Sequence, residues 1–287
     1  MCKSIQNVQF NLKRDQKILN VNSSVMDVFA NNLVEGMKKL SELAKHSTFV
    51  AIDSEFPGIV VKIKEDSLSL IDNEYLNVKI NNDLLNPIQI GFSFFDENGK
   101  AVTDQSTVQF NFKFDTKTDR GNPESLELLR RAGINFKALQ KNGIEMYSFG
   151  EHFLSTDLAM NRNLTWVGFH ANHDWAYMLK ILTGWREMPG NHKDFSMLLS
   201  AFFPKTIDLK TVVIKKFGHH CGLQNLSKRL KVERHGVQHQ AGSDARLTGE
   251  SYFKFICNYM NCKMKSDWYN LIFGLNYVDK TEKLYYY

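Results

Sequence analysis

Cysteine is scarce in this chain of 287 residues: there are four, and no two of them form a CxxC pair. The spacing of Cys2, Cys221, Cys257 and Cys262 speaks against a zinc ribbon or a disulfide framework, and predicts reduced, buried thiols of the kind kept in cytosol or nucleus. Proline is nearly as rare, five residues. With no Pro/Gly/Ser-rich linker, low-complexity tract or internal repeat, one continuous domain is the simpler reading. Long apolar runs are missing too. The first twenty residues never sustain the apolar core of a signal peptide, and no later run approaches the ~18 residues that span a bilayer, so a soluble protein not exported by that route is expected. A surplus of one charge is also lacking, since 36 Lys and Arg face 31 Asp and Glu for a net +5. That total says little about partners. What the chain does have is a hydrophobic fraction of 43%, enough to exclude a disordered polymer.

The positive charge is unevenly placed. Between Lys205 and Arg234 stand eight basic residues and two acids, so this segment carries +6 and the rest of the chain −1. A stripe of this kind is an electrostatic footprint for phosphate, or else a solvated face. Residues 1–24 lack periodicity and read as an extension. Val28, Phe29, Leu33, Met37, Leu40 and Leu43 then recur at helical spacing and predict a helix across Val25 to Ala44. Three apolar or alternating runs follow as strand candidates, Thr48 to Asp53, Pro87 to Phe95 and Thr107 to Phe114. The last has Val108, Phe110, Phe112 and Phe114 on one face and Gln109, Asn111 and Lys113 on the other, the pattern of a half-buried strand. Beyond it the chain turns mostly helical, interrupted by strands at Trp166 to His170 and Thr206 to Leu209. Helices are predicted at Ser125 to Ala132, Phe149 to Met160, Trp175 to Leu182, Phe195 to Phe203, Leu223 to Leu230 and Gln240 to Met260. A sheet built early and covered by helices argues for a three-layer α/β or α+β domain.

Asp53-Ser54-Glu55 ends the first apolar run. Acids two apart on a strand project to the same face, so both carboxylates can serve one cation site. A chain of this composition contains such a pair by chance, and Asp72-Asn73-Glu74 is a second one, in a polar stretch read as loop. Context separates them, because unpaired carboxylates beside a packed core cost several kcal/mol unless a metal compensates. Asp174 stands four residues past a buried strand, where a helix-capping role is the plain alternative. Asp244 falls early in the long C-terminal helix. His239, five residues before it, cannot share its helical face, but can approach from the preceding loop as a base, a surface or capping histidine being the plain alternative.

Together, FVAIDSEFPG, NPIQIGFSFFDENG, QFNFKF, SLELLRRAGINF, FHANHDWAYMLKILTG, FFPKTIDLK, GLQNLSKRL and HGVQHQAGSDARLTG resemble the Caf/Pop family, the deadenylase nuclease subunit of the Ccr-Not complex, within the DEDD superfamily of 3'-to-5' exonucleases. The resemblance is collinear from about Val25 to Cys262, and HQAGSD followed by LTG is its most specific part. It implies a ribonuclease H-like three-layer α/β (α+β) fold, a central mixed sheet flanked by helices, occupying residues 25–276 between an extension (1–24) and a tail (277–287). It implies four acidic metal ligands, Asp53, Glu55, Asp174 and Asp244, with His239 at the position that marks the histidine branch. It also implies a Not-type scaffold and a Ccr-type deadenylase as partners, and a cytoplasmic, also nuclear, place of action. Departures are Ser54 where many members have Thr, and the lead FHANHDW into the third acid.

The residues lead to the same chemistry. Four clustered carboxylates repel RNA unless two Mg²⁺ or Mn²⁺ neutralise them and bridge the scissile phosphate, with His239 as general base in an in-line hydrolysis releasing one 5'-mononucleotide per turn. That the substrate is a poly(A) tail and the product 5'-AMP is what the resemblance implies. Phe56 and His170 beside the acids are candidates for contact with the terminal nucleotide, and Lys215, Lys216, Lys228 and Arg229 for contact with the RNA backbone. Three alternatives remain open: a zinc module using His219, His220, Cys221, His235 and His239; a catalytically weak RNA-binding or scaffold-docking adaptor on the same fold; and an exonuclease acting on DNA or structured RNA.

Overall fold

The computed structural model describes residues 25–184 and 187–278; the predicted extension 1–24 and most of the predicted tail lie outside them. Six strands form one mixed sheet: β1 (Val25–Val28), β2 (Phe49–Glu55), β3 (Gln89–Phe95), β4 (Thr107–Asn111), β5 (Thr165–Gly168) and β6 (Thr206–Asp208). Their order across the sheet is β1-β4-β3-β2-β5-β6. The meander β2-β3-β4 is antiparallel, whereas β5 lies parallel to β2, β6 to β5 and β1 to β4.

Alternation along β2 divides the core. Val50 and Ile52 point into one apolar layer with Phe92, Phe110, Phe149 and Trp175, whereas Ala51 points into the other with Phe95, Tyr252 and Phe255. The first layer is closed by α1 (Leu33–Ala44), α5 (Met146–Leu154), α6 (Asn172–Thr183) and α7 (His192–Phe202). The second is closed by α8 (Leu209–Phe217), α9 (Leu223–Leu230) and the long α10 (Ala241–Tyr259). Shorter pieces, α3 (Pro123–Arg131) and α4 (Phe136–Asn142), cover the β4 end, and α2 (Leu70–Leu84) packs on α6 and α7. The three-layer architecture is therefore the expected one, with helices on both faces of a mixed sheet.

Four local expectations are corrected. Val25 to Ala44 is not one helix: Val25–Val28 pair with Thr107–Phe110 as a parallel edge strand, and the Asn32 side chain accepts the Phe29 N–H at 2.7 Å before α1 begins. Strand pairing across some eighty residues overrides the local helical period. Asp72 and Glu74 lie on α2, not in a loop, with Ser69 capping its start through the Asp72 N–H. The polar face of β4 is not solvated, since Gln109 and Asn111 are buried. Gln109 accepts the Gly242 N–H at 2.8 Å and donates to Asp27, and Asn111 takes the Gln89 amide. Finally, Cys257 and Cys262 are joined as an exposed disulfide, Cα atoms 4.1 Å apart, while Cys221 is free and half-buried. Asn261 and Cys262 adopt left-handed backbone (φ 52° and 55°), which turns the chain back on the end of α10.

Candidate active site

A cavity of about 610 Å³ opens at the carboxyl ends of β2 and β5, lined by Asp53, Glu55, Asp174, His239 and Asp244. Four separate pieces of the fold deliver these five side chains. Asp53 and Glu55 continue the Ala51 face of β2, the face covered by α10. Asp174 sits in the first turn of α6, the helix that follows β5. Asp244 sits in the first turn of α10. That helix can lie close to the sheet because Gly91 is opposite Asp53 in register. A Cβ on Gly91 would meet the Ala241 carbonyl at 2.3 Å.

His239 precedes the α10 cap in left-handed backbone, φ 62°. Its backbone N–H donates to Asp244 Oδ2 at 2.8 Å, so the loop that bears the imidazole is tied to the acid. Glu55, His239 and Asp244 each offer one ligand atom, and these lie within 4.8 Å of one another. Asp244 Oδ1 accepts Arg234 Nη2 at 2.8 Å. Sequence reading placed Arg234 in the basic stripe without a role at the site; its partners lie on α9 and α10, and nothing local distinguishes it from its neighbours.

The electrostatics follow from crowding. Burial pushes the carboxyl groups of Asp53 and Glu55 well above the ordinary range, and the charges of Asp244 and Asp174 push in the same direction, while Arg234 opposes. Asp174 is pushed up to about 7, chiefly by burial, against the pull of the Ser54 hydroxyl and backbone. Arg234 therefore offsets only part of the crowding felt by Asp53 and Glu55. An all-carboxylate set with one imidazole at its edge is the donor chemistry of a hard divalent cation, and the residues fit one.

The walls are equally defined. Phe56 is half-buried and stacks on His173, ring centroids 4.7 Å apart and planes 27° apart, with Tyr177 behind. His173 Nδ1 meets the Asn82 amide at 2.7 Å, and burial lowers its pKa to about 4. His170 is exposed at the rim in left-handed backbone, φ 58°, beside the Lys210 ammonium. Asp208, which sequence reading counted only as charge, is fully buried and accepts the backbone N–H groups of His170, Ala171, Lys210 and Phe273. It fixes the turn between β5 and α6, and with it Asp174.

On the opposite wall the segment from Ile59 to Glu65 is held as a strap by an asparagine ladder on α2. Asn81, Asn77 and Asn73 each bond the backbone N–H and C=O of Val61, Ile63 and Glu65 in turn, at 2.7 to 3.1 Å. Four helical residues rise ~6.0 Å and two extended residues ~6.6 Å, so the side-chain amides imitate a β-ladder. Ile59 and Lys62 then line the cavity. Lys215, Lys216, Lys228 and Arg229 do not line it. The histidines and Cys221 weighed for a zinc module do not assemble among the described residues, where the ligand cluster is Glu55, His239 and Asp244.

Residues 28–163 match the CAF1 family ribonuclease pattern. The poly(A) ribonuclease pop2 of Schizosaccharomyces pombe is 36% identical over 253 residues, 88% of this chain and 75% of that protein. The probable CCR4-associated factor 1 homolog 10 of Arabidopsis thaliana is 37% identical over 262 residues, 90% of this chain and 94% of its own. Among solved structures, S. pombe Pop2p with Mg²⁺ and Mn²⁺ bound superposes with a TM-score of 0.86 over 88% of this chain and all of that one, at 36% identity. Yeast CAF1, co-crystallised with the NOT1 MIF4G domain, gives a TM-score of 0.74 at 29% identity, over 87% of this chain and 96% of the other.

Proposed function

Because this chain belongs to the CAF1 ribonuclease family, we propose that it is a metal-dependent 3'-to-5' exoribonuclease that shortens poly(A) tails and releases 5'-AMP. The observation that carries this reading is the meeting of Asp53, Glu55, Asp174, Asp244 and His239, from four separate segments, around one cavity. Two divalent cations held by the four carboxylates, Mg²⁺ or Mn²⁺, would supply the charge neutralisation and Lewis acidity that in-line phosphodiester hydrolysis requires. The chain's own residues do the rest. His239, half-buried, with Nε2 3.3 Å from the Gln238 amide and a ring nitrogen within 4.8 Å of carboxylate oxygens of Glu55 and Asp244, takes the proton of the attacking water as general base. Phe56 on His173 forms an apolar wall on which the terminal base stacks, and His170 stands at the rim beside it. Asp208, out of solvent, positions Asp174.

The relatives support the wider setting. S. pombe Pop2p binds Mg²⁺ and Mn²⁺, and yeast CAF1 docks on a NOT1 MIF4G domain. We assign this chain the same place, on a Not-type scaffold beside a Ccr-type deadenylase, in cytoplasm and nucleus, with residues 25–276 as the single nuclease domain.

The test is incubation of the pure protein with 5'-labelled RNA ending in an A-tract, with Mg²⁺, Mn²⁺ or EDTA. Stepwise 3' shortening that needs the cation and vanishes in Asp53→Ala and Asp244→Ala is expected. His239→Ala should slow turnover while leaving Mn²⁺ affinity nearly intact. A tail left whole with every cation favours the adaptor reading.

A further inference from the structure

Resting on the cation-binding reading above, we propose that Arg234 is an exchangeable counter-ion: it is the counter-charge of Asp244 in metal-free protein, yields Asp244 to the incoming cation, and then grips an RNA phosphate.

Arg234 rises from the irregular segment between α9 and α10 and spreads its guanidinium over three acceptors. Nε donates to Gln224 Oε1 at 3.0 Å, Nη1 to Ser243 Oγ at 3.2 Å and Nη2 to Asp244 Oδ1 at 2.8 Å. The pair is largely shielded, with side-chain exposures of 14% for Arg234 and 11% for Asp244. Both oxygens of Asp244 are therefore engaged, one by Arg234 and the other by the His239 backbone N–H. A cation that takes Asp244 needs one of them.

The two bonds differ in what can move. The His239 N–H is part of the turn that starts α10, and leaving would unwind it. The guanidinium is at the end of a flexible chain, and like charge drives it from a carboxylate that a divalent cation shares. It does not travel far. Gln224 and Arg234 both line the cavity, so the freed fork stays beside the acids and faces whatever enters. A planar fork with two parallel N–H donors matches two oxygens of one phosphate, a match that an ammonium lacks.

This exchange has effects of opposite sign, which a purely structural arginine does not. Removing the charge relieves competition at Asp244 and strengthens cation binding, yet weakens the hold on RNA. The experiment measures Mn²⁺ affinity by titration calorimetry without RNA, then kcat and KM for A-tract RNA at saturating Mn²⁺, for wild type, Arg234→Gln and Arg234→Lys. Expected for Arg234→Gln is Mn²⁺ binding about ten-fold tighter, with KM raised about ten-fold and kcat changed far less, in keeping with loss of a charge-assisted hydrogen bond. Arg234→Lys keeps the charge and loses the fork, so Mn²⁺ affinity stays near wild type while KM rises.

Unchanged or weaker Mn²⁺ binding by Arg234→Gln, in a wild type that binds Mn²⁺ and shortens RNA, overturns the proposal alone. A wild type that binds no Mn²⁺ overturns the underlying reading and the proposal with it. If Arg234→Gln does not fold, Arg234→Lys decides: an unchanged KM removes the phosphate role.

Discussion

Asp174 shows what one carboxyl group does to the whole fold. It is buried in the first turn of α6 and its pKa is pushed up to about 7, chiefly by burial, whereas in the unfolded chain it titrates near the usual value of about 4. Between those values the folded protein holds a proton that the unfolded chain has lost, so stability falls as pH rises from about 4 to about 7 and levels off above. His173 acts in reverse. Its folded value of about 4 lies below the ordinary imidazole value, so its penalty appears as pH falls below about 6.5. Comparing wild type with Asp174→Asn at each pH cancels the histidine and leaves the acid together with the lift its charge gives Asp53 and Glu55. In EDTA the variant should match wild type near pH 4.5 and exceed it at pH 8 by on the order of 2–4 kcal/mol, several degrees in melting temperature. Adding Mg²⁺ should close the gap, since the cation stabilises only a protein that binds it. Melting curves across pH in EDTA and Mg²⁺ are the check, and an Asn variant no more stable at pH 8 than wild type refutes the buried-acid account.

Between elements, the critical spacing is that of α10 against β2 and β3. Gly91 lies opposite Asp53, and the backbone of Ala241 and Gly242 occupies the space where its Cβ would be. Gly91→Ala should therefore cost about 1–3 kcal/mol in overpacking. It should also lower turnover by ten-fold or more, because the start of α10 carries Asp244 and, through it, the His239 loop. Gly190→Ala is the control, as nothing stands within 4 Å of its Cβ; equal turnover in the two variants removes the spacing argument. The same contact explains what could be read in advance. Asp53 and Glu55 drew notice because an apolar run ends in them, and Asp174 and Asp244 because each opens an apolar helix, but it was the family resemblance, not these local patterns, that named the four as one set. β1 was not, since its partner β4 is some eighty residues away and its own residues fit a helical period. Nor was α2, whose buried Asn73, Asn81 and Asn82 bond to backbone and to His173 instead of filling an apolar face. Arg234 was hidden for a third reason, its resemblance to seven other basic residues in one stripe.

At the scale of the whole molecule, the net +5 divides into a buried acidic cluster and a basic segment that runs through α8, α9 and the loop before α10. The parts of that segment are not equivalent. The Lys215 ammonium lies over the rings of Trp268 and Tyr277, 5.7 and 5.2 Å from their centroids, so it is engaged in packing. Lys228 and Arg229 are exposed in the last turn of α9, where the helix dipole favours positive charge. The opposite end of α9 is at the cavity, through Gly222, Leu223 and Gln224. Eight helical residues span ~12 Å, so α9 connects the acid cluster to a basic tip beyond the reach of the last nucleotide alone. A strand with its 3' end in the cavity would meet that tip with an upstream phosphate. Reversing both charges, Lys228→Glu with Arg229→Glu, should then weaken binding of a long A-tract, and flatten the dependence of log affinity on log salt by about 1.4, the value for two phosphate contacts on a single strand. Cleavage of a dinucleotide, too short to reach α9, should be unchanged. Equal losses on the dinucleotide and the long tract would place these two residues at the site itself or in the folding of α9, and would remove the basic tip from the path of the RNA.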